Sequence, residues 1–311
     1  MNIIFMGTPD FAVESLKALI NSENKILAVV TQPDKPVGRK GEIIFSPVKQ
    51  VAIDNGIPVL QYNKIRIEGV EDIRNLKPDL IVTCAFGQIL SQELIDIPKY
   101  GIINVHASLL PKYRGAAPIQ WSILNGDKET GVSIMRTEIG IDTGDVLLAR
   151  RLVIGKDETA GELFDRLALL GAKCIVDAVE MLKNGNAVWT KQDESLATHV
   201  KMIKKEDGLI DWSTSNEQIF NFVRGMNPWP CAFTYFGDKM IKVWKVSICD
   251  KEYVGENGQV LVADVKNGLI INCGKGAICV EELQSAGGKR MSAKAFLLGN
   301  KIPVGSVLTN G

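Results

Sequence analysis

The sequence predicts an α/β protein: a doubly wound, mostly parallel sheet in the first part of the chain, then a smaller domain of short β-strands. Three observations carry that prediction. Apolar runs recur through the first half at residues 2–6, 26–31, 57–60, 80–85 and 101–106, with helical segments between most of them. The runs are near-continuously apolar rather than alternating, which marks parallel strands covered on both faces. From Gly208 onward the runs are brief and separated by turn residues such as Gly237-Asp238, Asn257-Gly258 and Asn267-Gly268, the pattern of a small barrel or sandwich.

Each element has its local reason. The first strand, NIIFM, meets a turn at Gly7-Thr8-Pro9, and Pro9 suits the first turn of a helix running towards Ile20. Residues 159–183 give the clearest helix, because Leu163, Phe164, Leu167, Leu170, Cys174, Ile175, Ala178 and Leu182 recur at helical spacing. Thr159 and Glu162 form a capping box at its start, and Asn184-Gly185 supplies its stop. The polar stretch 186–206 reads as a connector. Beyond it come GLIDW, CAFTYF, MIKVWKV, QVLVADV, GLIINC and AICVEEL, with one helix near 216–224. The alternation in 239–248 fits either register, so its inward face stays open at this level.

Composition bounds the class. At 311 residues, 46% apolar and 23% charged, the chain suits two globular domains. No apolar stretch approaches the ~20 residues of a membrane span. MNIIFMGTPDF lacks the charged and long apolar regions of a secretory signal, so a cytoplasmic protein with no membrane partner is expected, and a monomer. Six cysteines show no CxxC spacing, and only two histidines are present. Neither a zinc site nor any other metal is expected, and the thiols read as buried or incidental in a reducing compartment. Net charge is zero, with a balance of +3 over residues 201–311 and −3 over residues 1–200. A nucleic-acid partner would have to be held by local patches, not by the whole field.

The chemistry concentrates at the end of the fifth run. His106 closes that strand, and ligands of parallel α/β sheets bind at the carboxyl ends of strands. Asn104 lies two residues earlier, so both side chains project from one face. An amide donor beside a titratable imidazole can stabilise an oxyanion and move a proton. A lone histidine is more often a satisfied core or surface residue. Here its position and its polar neighbour favour function, whereas His199 lies in the polar connector. Asp142 stands in the Gly-punctuated turn IGIDTGDV (139–146), ahead of the β-like run 146–154. Alone it reads as a turn residue. A return of that turn to the same sheet edge would set its carboxylate against the imidazole, orienting the ring and favouring its charged form.

SLLPKYRGAAPIQ (108–120) is more specific than either fragment. Together GTPDFA, NVHASLLPKYRGAAPIQWSI (104–123) and IDTGD (141–145) resemble the folate-dependent formyltransferases, and Asn104, His106 and Asp142 match that family's catalytic Asn, His and Asp in type, order and spacing. KKEDGLIDW (204–212), RGMNPWPCAFT (224–234) and KAFLLGNKIPVGSVL (294–308) are similar to the C-terminal domain of family members that act on initiator tRNA. The resemblance covers essentially the whole chain. It implies a Rossmann-like catalytic domain over 1–189, a linker over 190–206 and an OB-like, tRNA-binding β-barrel over 207–311. It implies 10-formyltetrahydrofolate as formyl donor, tetrahydrofolate as product and methionyl-initiator tRNA as acceptor. It also implies a folate cleft lined by Ser108, Leu109, Leu110 and Pro111, with backbone near Gln88 to Leu90 meeting the pteridine.

The loop after the second strand, QPDKPVGRKGEIIFSPVK (32–49), sets Lys35, Arg39, Lys40 and Lys49 against Glu42. Its prolines and glycines argue against regular structure before residue 47. By itself it reads equally as a solvated or a binding loop. In the resembling family an insertion here grips the acceptor arm of tRNA, which points to Arg39 and Lys40 as phosphate contacts. Three rivals fit less well. A nicotinamide dehydrogenase needs three fingerprint glycines where MGTPDF has one. A non-catalytic RNA-binding module leaves Asn104, His106 and Asp142 idle. A formyltransferase for a small-molecule or sugar-nucleotide amine has no need of RGMNPWPCAFT and the domain around it.

Overall fold

The computed structural model describes residues 1–37 and 42–309, and the chain divides into two compact units. The first comprises residues 1–118, 129–153 and 164–200; the second comprises 119–128, 154–163 and 201–311. Along the chain, β1 is Asn2–Gly7, β2 Lys25–Thr31, β3 Pro36–Val37, β4 Glu42–Ile43, β5 Val59–Gln61, β6 Leu80–Cys84, β7 Ile102–His106, β8 Arg114–Gly115, β9 Glu129–Arg136, β10 Val146–Val153 and β11 His199–Val200.

The first unit is built on a seven-stranded sheet in the order β10-β9-β7-β6-β1-β2-β5. The five strands from β7 to β5 run parallel, and β9 and β10 add an antiparallel edge. The chain builds outward from β1 through β2 to β5, then returns to the other side of β1 with β6. That reversal opens a crevice at the carboxyl ends of the strands. Ile3, Ile4, Phe5, Met6, Leu80, Ile81 and Val82 are all fully buried, so each such side chain contributes about 1.5–3 kcal/mol relative to exposure. Burial on both faces is why these strands read as continuous apolar runs.

The boundaries differ from expectation at four places, each for a local reason. The first helix, Phe11–Ile20, starts after Asp10, whose side chain makes no capping hydrogen bond, and Pro9 lies one residue further out, its carbonyl accepting from Ala12 N–H at 3.0 Å. The loop 32–49 contains a short antiparallel ribbon, β3 with β4, before the helix Pro47–Asp54. Pro36 is tolerated there because a two-strand ribbon is all edge. β9 falls outside the apolar runs that mark strands in the sequence, yet it lies between β7 and β10. The stretch read as a connector is bonded along its length: Thr190 exchanges two hydrogen bonds with Val146, and β11 pairs with β8. The helix Ala160–Lys183 carries the predicted capping box, with Glu162 N–H donating to Thr159 Oγ1 and Thr159 N–H donating to Glu162.

In the second unit, β12 (Ala232–Phe236), β13 (Lys239–Ile248), β14 (Val260–Asp264), β15 (Gly268–Asn272), β16 (Ala277–Ser285) and β17 (Met291–Ser292) form one antiparallel sheet. Its path β12-β13-β16-β15-β14 leaves β12 and β14 as edges. The tail joins them: Thr309 exchanges hydrogen bonds with Tyr235 on β12, and residues 305–308 bond Val260 and Gly258 at β14. The open register of β13 is settled by a bulge. Ile241 and Val243 face the core, the pairing shifts around Lys245, and Val246 faces inward after it. No simple alternation could have shown that.

Candidate functional site

The site rests on the carboxyl end of β7. Asn104 is half-buried and His106 buried, and both project from one face of the strand. Beside them on β6, Thr83 pairs with Asn104 and its hydroxyl donates to Asn104 Oδ1 at 2.9 Å. That bond fixes the amide, so its nitrogen is the end that can donate elsewhere.

His106 Nε2 lies 2.9 Å from the carbonyl oxygen of Tyr113. A carbonyl only accepts, so the ring carries a hydrogen on Nε2 and exchanges its other proton at Nδ1. Nδ1 lies 3.6 Å from Asp142 Oδ2, and that oxygen also accepts from Gly115 N–H at 2.8 Å. The separation exceeds a direct hydrogen bond. The sheet therefore brings Asn104, His106 and Asp142 together, with Tyr113 bonded to the imidazole and Gly115 to the carboxylate.

The turn bearing Asp142 is held from two sides. Asp142 itself has φ of 54°, in the left-handed region, where Asp is better tolerated than most residues. Gly144 lies so close to β9 that a Cβ would meet the Arg136 carbonyl at 2.0 Å, so no other residue fits. On the other side, Gln192 Nε2 donates to the carbonyls of Asp142 at 2.8 Å and Gly144 at 2.7 Å.

The segment 108–111 follows His106 directly. Ser108 is fully buried, and its hydroxyl donates to the Lys112 carbonyl at 2.6 Å. Ser133 on β9 donates to the Ser108 carbonyl and accepts from Leu110 N–H. Ser108 therefore shapes this loop, while Leu109, Leu110 and Pro111 are half-exposed along it. After β6, the Gln88 side chain donates to the Tyr62 carbonyl and accepts from Ile65 N–H, which pins the backbone leading to Leu90.

Arg39 and Lys40 lie outside the described residues. Of the other cations in that loop, Lys49 is engaged internally by Asp34 and Gln61, and it sits over the Phe45 ring at 4.0 Å. The hydrogen bond from Lys49 holds the Asp34 carboxyl below its ordinary range, partly offset by burial. Asp34 thus removes Lys49 from the basic set that the sequence suggested. Cys84 ends β6 near the site, and burial pushes its thiol up to about 12. A thiol that stays protonated is a poor nucleophile, consistent with a structural role.

Sequence reasoning did not find Thr83, Ser133, Arg114 or Gln192, nor the Tyr113 carbonyl. Ser133 left a faint trace, as a polar residue inside the apolar stretch GVSIM. Gln192 left none.

A family model described as "Formyl transferase" matches residues 1–179, and one described as "Formyl transferase, C-terminal domain" matches 202–301. The chain is 50% identical over 311 residues to the methionyl-tRNA formyltransferase of Ruminiclostridium cellulolyticum, covering 99% of each chain. Among solved structures, it is similar to the methionyl-tRNA formyltransferase from Clostridium thermocellum, with TM-score 0.55, 20% identity and coverage of 82% and 97%. It is also similar to the N-formyltransferase from Helicobacter canadensis, solved with folinic acid and dTDP-3-aminofucose. There the TM-score is 0.69, at 21% identity over 89% and 98%. At such identities these two likenesses speak to the fold.

Proposed function

This chain belongs to the formyl transferase family, and from that premise we propose that it transfers a formyl group from 10-formyltetrahydrofolate to the α-amino group of methionyl-initiator tRNA, giving N-formylmethionyl-tRNA for translation initiation. The observation that carries this reading is the 50% identity to a methionyl-tRNA formyltransferase across both parts of the chain. A relative with a sugar acceptor explains the fold but not that full-length likeness. The chain would work as a monomer in the cytoplasm; no helix among the described residues is long and apolar enough to cross a membrane.

The site suits direct attack. A free α-amine has a pKa of ~7.7–8.0, so a fair share is neutral near pH 7 and needs no covalent enzyme nucleophile. Its nitrogen bonds to the formyl carbon, and the carbonyl becomes a tetrahedral oxyanion. Asn104 donates to that oxygen through Nδ2, the end that Thr83 leaves free. Protonated His106 donates through Nδ1, because Nε2 is held by Tyr113. Asp142 stabilises the charged ring and, through water across the 3.6 Å gap, helps take the proton that the amine sheds. The oxyanion then collapses to the carbonyl and the bond from carbon to the folate nitrogen breaks, that nitrogen taking up the proton which the amine shed, to leave as tetrahydrofolate. Leu109, Leu110 and Pro111 would line the folate cleft beside Asn104 and His106, with the buried Ser108 behind them. The C-terminal residues 207–311 would hold the tRNA, and Arg39 and Lys40 would meet acceptor-arm phosphates.

The test is transfer of labelled formyl from the folate donor, offering methionyl-initiator tRNA beside free methionine, glycinamide ribonucleotide and an amino-sugar nucleotide. Label on the tRNA alone is expected. Faster transfer to any of the three small-molecule amines would overturn the assignment.

A further inference from the structure

We propose that Arg114 and Gln192 are positioning residues of this reaction, which hold the Asp142 turn at its distance from His106. The inference rests on the reading of Asp142 and His106 as the proton-handling pair. Arg114 is the largest side chain with essentially no exposure, at 1%. A guanidinium so placed demands partners for every donor it buries.

Those partners form a chain that leads to the site. Arg114 Nη1 and Nη2 bond the two oxygens of Glu194 at 2.9 and 2.7 Å, a forked pair that fixes the plane of the guanidinium. Hydrogen bonding to Glu194 accordingly raises its already high proton affinity. Nε, which points the other way along that plane, donates to Gln192 Oε1 at 3.0 Å. With its oxygen so held, Gln192 must present its amide nitrogen to the Asp142 turn. That one nitrogen bonds two carbonyls, of Asp142 and Gly144, and so clamps both ends of the three-residue segment. The backbone beside Arg114 completes the circuit. Tyr113 carbonyl accepts from His106, and Gly115 N–H donates to the Asp142 carboxylate. A single short segment thus fixes the imidazole by one residue, the carboxylate by another, and the carboxylate's turn through the side chain between them.

The arrangement also explains why the stretch 190–200 is tied down. β11 pairs with β8 at His199–Arg114 and Val200–Gly115, and Tyr113 N–H donates to Thr198 Oγ1 at 2.8 Å. Without those bonds Gln192 and Glu194 would not be held against Arg114. Because a misplacement of about 1 Å can cost ~10²-fold in rate, a clamp on a carboxylate standing 3.6 Å from its partner has leverage over turnover.

The experiment is a double-mutant cycle between Gln192→Met and Asp142→Asn in the full chain. Gln192→Met keeps the length of the side chain and removes its donors and acceptor. We expect it to lower kcat by ~10- to 10²-fold, with KM for the folate donor unchanged. In the Asp142→Asn background the same substitution should cost almost nothing further, since the carboxylate it positions is already gone. The chain has only His106 and His199, so imidazole nitrogen NMR gives a second readout. The His106 signals should move towards those of Asp142→Asn, while those of His199 stay. Arg114→Lys, which keeps the charge but loses the fork and Nε, should reproduce part of the kcat loss. If Gln192→Met melts below assay temperature, Gln192→Glu replaces it, keeping the acceptor for Arg114 and losing the donors. An equal kcat penalty in both backgrounds, or His106 signals unmoved, overturns the positioning role alone. A fully active Asp142→Asn enzyme overturns the catalytic reading and this proposal with it.

Discussion

Two side chains on neighbouring strands decide whether an oxyanion at this site meets a donor. Asn104 can donate only if its amide is turned the right way, and Thr83 sets that turn with a 2.9 Å hydrogen bond to Oδ1. Asn104→Ala removes the donor and should lower kcat by ~10²–10³-fold. Thr83→Val keeps the shape and removes only the anchor, so the amide can rotate and the loss should be a fraction of that. His106→Ala should fall with Asn104→Ala. Single-turnover formyl transfer by each purified variant, alongside a thermal melt, separates chemistry from folding. Full activity in Thr83→Val would show that the amide is oriented by something else.

The helix Ala160–Lys183 and the loop 32–49 carry tests of another kind. At the helix start, Thr159 Oγ1 accepts from Glu162 N–H, and Glu162 accepts from Thr159 N–H and hydroxyl. Thr159→Ala should cost about 0.5–2 kcal/mol in denaturant unfolding. The backbone and side-chain bonds from Thr159 hold the Glu162 carboxyl below its ordinary value. A folded pKa below the unfolded one gives stability that is present above the unfolded value and is lost as pH falls through the folded one. The Thr159→Ala penalty should therefore be full at pH 7 and shrink in acid. An identical penalty at pH 7 and in acid below the folded pKa would refute the reciprocal cap. For the loop, Arg39→Ala with Lys40→Ala should flatten the salt dependence of kcat/KM for tRNA by roughly 0.7–0.9 in log–log slope per lost contact. Folate KM should hold. Unchanged kinetics at two salt concentrations would make the loop a solvated one.

At the scale of the whole chain, the two compact units do not follow a single cut in sequence. Residues 119–128 and 154–163 belong with 201–311. Ile123 is fully buried, and Gly225 packs against it and Leu124. A chain ending at residue 206 loses Gly225 and the helix Asn216–Gly225 that carries it. Each large apolar side chain then uncovered forfeits about 1.5–3 kcal/mol. Such a chain should melt well below the full protein, and Ile123→Ser within it should recover solubility. A truncated protein with the melting temperature of the full chain would show that these residues find cover elsewhere.

Part of this protein was settled by sequence alone. The parallel strands announced themselves as continuous apolar runs, because burial on both faces leaves no polar phase. Asn104 and His106 could be paired from their spacing, since side chains two apart on a strand must share a face. The capping box of the long helix was equally local. Other features were settled only by tertiary structure. Asp142 reaches His106 because the β9–β10 pairing and the close approach of Gly144 to Arg136 return its turn to the β7 edge. The bulge at Lys245 alone decided which residues of β13 face inward. Gln192, Arg114, Ser133 and Thr83 act through side-chain hydrogen bonds between segments far apart in the chain. Such bonds impose no period and no spacing on the sequence, so beyond the faint trace of Ser133 the order of residues does not reveal them.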